Sequence, residues 1–186
     1  MKKTLFVIAL LSLAVAAPSW AKDVKGLYGL GYFRSEFPIG GRAWITDKVG
    51  ADLGIGFSIL SSDNPGNPGA EGKATSYGVD LGVPFIVHGT DNALFFVRPG
   101  FSFASSPNPV LGGLDNRATS MWVSGSLGVE YFFTDHFSIQ AAHGVAYKSV
   151  SPGSKAKDLG AKSYSSIGSE AFGISDIGFH YYFGAK

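Results

Sequence analysis

The sequence predicts an all-β protein, an eight-stranded antiparallel up-and-down transmembrane β-barrel. Three observations predict it. Apolar residues alternate with small or polar ones over long runs, the dipeptide Thr-Asp recurs at a fixed spacing between such runs, and the chain has too few charges for an ordinary water-facing surface. Charged residues make up 16% of the 186 residues and hydrophobic ones 45%, with 26 glycines. A soluble domain usually carries about 25% charged residues, and so much glycine does not suit a helical bundle. With no cysteine there is no disulfide framework, no thiolate metal site and no lipidated N-terminal Cys. A formal net charge of +1 argues against nucleic acid, which calls for a basic surface.

The elements follow in order. Lys2 and Lys3 precede an apolar run from Leu5 to Ala17, and Pro18, Ser19 and Ala21 follow in the pattern a signal peptidase reads. The run is shorter than the ~20 residues a spanning helix needs. Residues 1–21 are therefore predicted to be a cleaved signal peptide and 22–186 one barrel domain. No later stretch is long and apolar enough for a transmembrane helix. Strands are predicted at 24–33, 39–45, 49–60, 76–87, 93–104, 119–133, 137–149 and 170–183, with negligible helix. In the third, Val49, Ala51, Leu53, Ile55, Phe57 and Ile59 share one face, and Gly50, Asp52, Gly54, Gly56 and Ser58 the other. The fourth, from Tyr77 to Val87, and the sixth, from Met121 to Phe133, repeat this period of two.

Thr-Asp occurs as Thr46-Asp47, Thr90-Asp91 and Thr134-Asp135, spaced 44 residues apart both times. A fixed period marks one repeated supersecondary unit, here strand, loop, strand and tight turn. Asp and Asn side chains at these turns are expected to satisfy turn backbone groups. The other connections, 61–76, 105–118 and 150–165, are rich in Ser, Gly, Pro and Asn. Only the first, Arg34 to Pro38, is short.

The polarity of the two faces separates a membrane barrel from a soluble one. The non-apolar face is mostly Gly, Ser and Ala with about one charge per strand, which suits the narrow inside of an eight-stranded barrel. The apolar face, with Tyr and Phe near strand ends, suits lipid and an interfacial aromatic girdle. In hydrocarbon an open sheet edge would strand backbone groups, so the sheet should close.

The inward parity assigns Arg42, Asp52, Asp80, Arg98, Glu130 and Asp176 to the interior. A three-residue turn at 46–48 sets Arg42 directly opposite Asp52, where same-face side chains are neighbours. Arg98 should reach Asp80 diagonally, and Glu130 stands two repeat periods after Arg42. The expectation is an ion-pair layer inside the barrel.

At the C-terminus, Asp176, Gly178, Tyr181 and Phe183 fall on the four fixed positions of the last-strand signal read by the bacterial barrel-assembly machinery. On these residues the chain resembles the small OmpA-type and OmpX-type outer-membrane barrels, from Lys22 to Phe183. Members of that family usually stop at the terminal aromatic, whereas Gly184-Ala185-Lys186 continues here. The resemblance implies a Gram-negative-type outer membrane, with outer-membrane lipid and lipopolysaccharide around the barrel. It also implies periplasmic chaperones and the assembly machinery as partners during biogenesis. Long loops would then be extracellular, and short turns and both termini periplasmic. The protein would be a monomer.

The search for chemistry gives little. His88 and His136 are read as turn residues, and His143 has outward parity, which suits the lipid headgroup level or a bulge. His143-Gly144-Val145 lacks the serine two residues on that a lipid-A deacylase carries, and His180 lies near the periplasmic end. Gly29-x-Gly31 and Gly54-x-Gly56 are strand glycines without a following helix, not dinucleotide loops. Asp63, Glu71, Asp115 and Asp158 lack calcium-loop spacing. No metal, cofactor or catalytic residue is predicted. The expectation is a non-enzymatic structural or surface-interaction protein with a lumen plugged by side chains. The alternatives are a small passive channel or a lipid-A-modifying enzyme at the rim.

Overall fold

The computed structural model describes residues 22–34, 36–62, 72–107, 116–158, 160, 162–168 and 176–184. The signal-peptide segment 1–21, the loop acids Asp63, Glu71 and Asp115, residues 170–175 and the last two residues lie outside the described residues. Strands run in chain order as β1 (Tyr28–Tyr32), β2 (Ile39–Trp44), β3 (Gly50–Ser62), β4 (Gly72–Gly82), β5 (Phe85–Gly89), β6 (Ala93–Pro107), β7 (Arg117–Phe132), β8 (Phe137–Ser151), β9 (Tyr164–Gly168) and β10 (Asp176–Phe183). A five-residue helix α1 (Ser154–Asp158) lies in the last long connection, where no helix is predicted. Every pairing is antiparallel, and β10 pairs with both β1 and β8, closing the sheet. The barrel has eight staves, because β4 with β5 and β9 with β10 each follow one course.

The break between β4 and β5 has a chemical cause. Val83 donates to the Pro99 carbonyl and Gly50 to the Pro84 carbonyl, at 3.0 and 2.9 Å, but neither proline has an N–H to return the bond. The stave continues past the gap, with Val49 bridged to Phe85 and Ile86 donating to Lys48.

A threonine hydroxyl closes each of the three short turns. The Thr46 hydroxyl accepts from the N–H of Val49 at 2.9 Å, that of Thr90 from Ala93 at 3.0 Å and that of Thr134 from Phe137 at 3.0 Å. Asp135 instead takes an ion pair from Lys22 at 2.7 Å.

The first stave is shorter than predicted. Residues 24–27 leave the strand, Gly26 taking a positive φ of 80°, and Val24 and Leu27 turn inward. There they close the turn end with Trp44, Ile86, Leu94, Phe132 and Tyr182. The connection between β1 and β2 folds into the lumen, burying Phe33, Arg34 and Phe37. Glycines on the inner face admit this plug. A Cβ on Gly56 would lie 2.1 Å from the Glu36 carbonyl oxygen, and one on Gly178 would lie 2.7 Å from that of Phe33.

The registers also give the tilt. From Phe179 the paired residues run through Tyr32, Ile39, Ile55, Val79, Phe103, Met121 and Ser149 to Ser165. This line crosses the strands at right angles, circles the barrel once and returns to the closing stave well nearer the loop end. Such stagger is what closing a tilted sheet requires.

Candidate functional site in the lumen

Alternation carries one set of side chains inward on each strand, and in this barrel that set is charged. Above the apolar floor, Arg42 and Asp52 occupy paired positions on β2 and β3. The guanidinium grips the carboxylate with two bonds, Nε to Oδ1 at 2.7 Å and Nη2 to Oδ2 at 2.9 Å. Its third nitrogen, Nη1, reaches Glu130 Oε2 at 2.8 Å across the barrel. Arg98 Nε donates to Asp52 Oδ2 at 2.7 Å, and its Nη2 pairs with Asp80. Arg42, Asp52, Asp80, Arg98 and Glu130 thus form one connected layer in which each is at most 4% exposed. Charges so far from water persist only when paired and hydrogen-bonded.

Aromatic faces complete the arginine surroundings. The Arg42 guanidinium carbon lies 4.9 Å from the Phe96 ring centre, and that of Arg98 lies 5.2 Å from Phe33. Gly82 leaves the room Arg98 needs, since a Cβ there would sit 2.1 Å from the guanidinium carbon.

Asp176 joins that layer indirectly, through Arg34. Its partner is Arg34 of the plug, with Nη2 to Oδ2 at 2.9 Å, and Arg34 Nη1 also approaches Asp80 Oδ1 at 3.3 Å. Arg34 is absent from the sequence-derived set because it sits in a connection, where strand parity says nothing. His180, Tyr182 and Ser138 are absent too, although the parity of β10 and β8 turns them inward. Tyr182 Oη donates to Glu130 Oε1 at 2.8 Å, Ser138 Oγ does so at 2.6 Å, and His180 Nδ1 is 3.2 Å from the same oxygen. Ser102 Oγ donates to Asp80 Oδ1 at 2.5 Å.

Ser138, Glu130 and His180 are the residue types of a hydrolytic triad, but they are wired differently. The serine hydroxyl is directed at the carboxylate rather than the imidazole, and all three side chains are fully buried. A nucleophile needs a base beside its hydroxyl and a path for substrate. Among the described residues no three His, Asp or Glu side chains are grouped as a metal site requires.

The other singled-out residues lie on the wall. Of the last-strand positions, Asp176 and Gly178 face in, while Tyr181 and Phe183 face out with ring centres 4.9 Å apart. His88 belongs to β5 rather than to a turn, with its ring 5.9 Å from Phe95. His136 does lie in a turn, yet it is engaged there: its ring stacks on Tyr181, and Nδ1 is 3.0 Å from the Tyr182 carbonyl oxygen. His143 faces outward opposite Leu127, in the middle of the apolar band rather than at its edge.

Toward the loop end, Phe37 and Trp122 pack together with Ala146. Above them opens a cup of about 440 Å³ lined by Ser58, Ser76, Ser106, Ser120 and Lys148. The Lys148 ammonium lies 5.0 Å from the Trp122 ring centre. The lumen is thus stacked as apolar floor, ion-pair layer, plug and hydroxyl-lined cup. Comparison of the chain with protein families, with curated proteins and with solved structures finds no match to any of them.

Proposed function

We propose that this chain is an integral outer-membrane barrel without enzymatic activity, presenting its loop end outward and sealed across its lumen by its own side chains. One observation carries the reading, the inverted polarity of the barrel. Arg42, Asp52, Asp80, Arg98 and Glu130 are buried inside, while Leu53, Ile55, Leu81, Val123, Leu127 and Val145 are 42 to 68% exposed outside. A barrel dissolved in water would bury the second set. Hydrocarbon around the barrel reverses the preference, because apolar side chains then face a solvent of their own kind.

Aromatic residues at the turn end support the same reading. Tyr28, Tyr131, Phe133, Phe137, Tyr181 and Phe183 all face outward there, as an interfacial girdle would. The last-strand pattern of Asp176, Gly178, Tyr181 and Phe183 supports delivery by the bacterial assembly machinery, with short turns toward the periplasm. Sealing is supported by the continuous stack of floor, ion pairs and plug, which fills the narrow lumen an eight-stranded barrel has.

The test is gel mobility of the outer-membrane fraction with and without boiling. A closed barrel runs compactly until heat opens it, so two bands are expected, the faster one lost on boiling. A single unshifted band, or recovery in the soluble fraction, would overturn the assignment.

A further inference from the structure

Arg117 opens β7 on the outward parity of Met121, Val123 and Leu127, which are 47 to 68% exposed. It stands opposite Pro107 on β6, and its side chain runs from there toward the turn end and across to β4. Nε donates to Ser105 Oγ and Nη2 to the Ser105 carbonyl, both at 3.0 Å. The guanidinium carbon lies 4.9 Å from the ring centre of Tyr77, the residue paired with Ser105 on β4. Ser105 shares the outward parity of Phe101, yet it is only 4% exposed, with the guanidinium bonded across it. The aromatic face and the two hydrogen bonds together fix this cation on the outside of the wall.

Ser105 takes only one edge of the planar fork. The end edge, Nη1 with the outer hydrogen of Nη2, presents parallel N–H bonds, the geometry that holds two oxygens of a carboxylate or phosphate. Among the described residues no carboxylate pairs with Arg117, and none pairs with Lys73. Lys73, Thr75 and Tyr77 are alternate residues of β4, all exposed on one face. Thr75 therefore stands between the ring that carries the guanidinium and the lysine. Height sets the surroundings. For strands tilted near 40° and ~4.8 Å apart, one residue along a strand rises about 2.5 Å on the barrel axis and one strand sideways about 3 Å. On that slope the outward side chains of Phe57, Tyr77, Phe103, Met121, Tyr147 and Ile167 come to one level within a few ångström, at the upper edge of the apolar band. Ser105 lies two residues beyond Phe103 toward the loops, so the guanidinium sits roughly 5 Å above that edge. The headgroup layer on each side of a bilayer's hydrocarbon is about 5–8 Å thick.

We propose that this corner of the wall binds the phosphomonoester head of a lipid in the loop-side leaflet. The end edge of Arg117 takes two phosphate oxygens and the Lys73 ammonium a third, with the Thr75 hydroxyl donating between them. The acyl chains run down the wall past Val79 and Phe103. Charge selects the head. Two cations without a carboxylate partner match a monoester, which carries about −1.5 to −2, better than a phosphodiester with its single charge. This inference rests on the membrane reading above.

The chain has no cysteine, so a single introduced thiol carries a fluorophore at one chosen place. Val79→Cys sets it beneath Tyr77 on β4, and Ile167→Cys sets it across the barrel on β9. Each labelled chain is placed in phosphatidylcholine nanodiscs, and insertion is checked by heat-shifted mobility. Phosphatidic acid with a nitroxide on its acyl chain is titrated in, then phosphatidylcholine with the same labelled chain. At Val79→Cys, phosphatidic acid should reach half-quenching at a roughly twentyfold lower mole fraction than phosphatidylcholine, and at Ile167→Cys at about the same one. Adding Arg117→Gln or Lys73→Gln should each lower the preference at Val79→Cys about fivefold. An equal preference at Ile167→Cys, or one that survives Arg117→Gln, overturns the proposal, because general charge attraction would then suffice. So does an equal preference for phosphatidylglycerol, a phosphodiester. Loss of the preference in millimolar inorganic phosphate would assign the site to the free ion and overturn the lipid. Inserted protein that shows no preference overturns the proposal and leaves the membrane reading standing. A chain that never enters the disc overturns both.

Discussion

Asp52 holds two arginines at once, Arg42 through two bonds and Arg98 through a third. Its loss leaves two guanidiniums short of a counter-charge. Loss of Arg42 leaves Asp52 still paired with Arg98, and Glu130 still bonded to Ser138 and Tyr182. Removing one partner of a buried pair typically costs about 3–5 kcal/mol. Arg42→Ala is expected at the lower end of that range and Asp52→Ala at the upper. The double variant should lose at least about 1 kcal/mol less than the two single losses together. Denaturant unfolding of protein refolded into lipid measures all three, and additive losses would show that the pair is not coupled. Glycine makes a second case at this scale. Gly82→Ala drives a methyl group into the Arg98 guanidinium, whereas a Cβ on Gly125 meets nothing within 4 Å. Overpacking of that kind costs about 1–3 kcal/mol, while Gly125→Ala should stay within about 0.5 kcal/mol of the parent.

At the scale of elements, the turns isolate one interaction three times. Each threonine hydroxyl accepts a backbone N–H three residues on, and a net hydrogen bond of this kind stabilises by about 0.5–1.5 kcal/mol. Thr46→Ala, Thr90→Ala and Thr134→Ala should each lose about that much, measured by the same unfolding. Asp47→Ala and Asp91→Ala should lose less. Equal losses would return the role to the aspartates. The repeat made these turns legible in the sequence, but repetition marks both residues of Thr-Asp alike and does not say which one bonds. Parity was more informative: inside a strand it fixes the face, so the inward side of Arg42 or Glu130 can be read without a structure. It fails where the strand stops. Val24 and Leu27 precede the first pairing, and Arg34 and Phe37 lie in a connection whose inward turn depends on room left by Gly56 and Gly178 on distant strands. The interruption at Val83-Pro84 had a local mark in Pro84. Its extent depended on Pro99 lying beside Val83 across the sheet, a neighbour that only the register supplies.

Depth is a property of the whole molecule, and the barrel offers a direct measure of it. On the slope of the winding line, Leu127, Leu53 and Leu81 fall at one height, midway between the turn-end rings of Phe133, Phe137 and Phe183 and the upper level of Phe57 and Tyr147. The distance between those two levels is roughly 25 Å, the height of the apolar band on a membrane barrel. Leu127 is 68% exposed and Phe133 61%, so in water alone the two positions are equivalent, and an arginine at either would meet solvent. In a bilayer they differ. Arginine at the midplane costs about 2–4 kcal/mol and near the interface about 0–1 kcal/mol. Leu127→Arg should therefore unfold about 2–4 kcal/mol more easily than the parent in phospholipid vesicles, and Phe133→Arg by no more than about 1 kcal/mol. The side chain opposite Leu127 is His143, so Leu127→Asp provides the arm in which the introduced charge has the other sign; it too should cost more than Phe133→Asp. The comparison is internal to one protein and one lipid, so errors in the absolute unfolding energies cancel. If Leu127→Arg and Phe133→Arg cost the same, the outer face does not lie in hydrocarbon, and the inverted polarity of the barrel would need another cause.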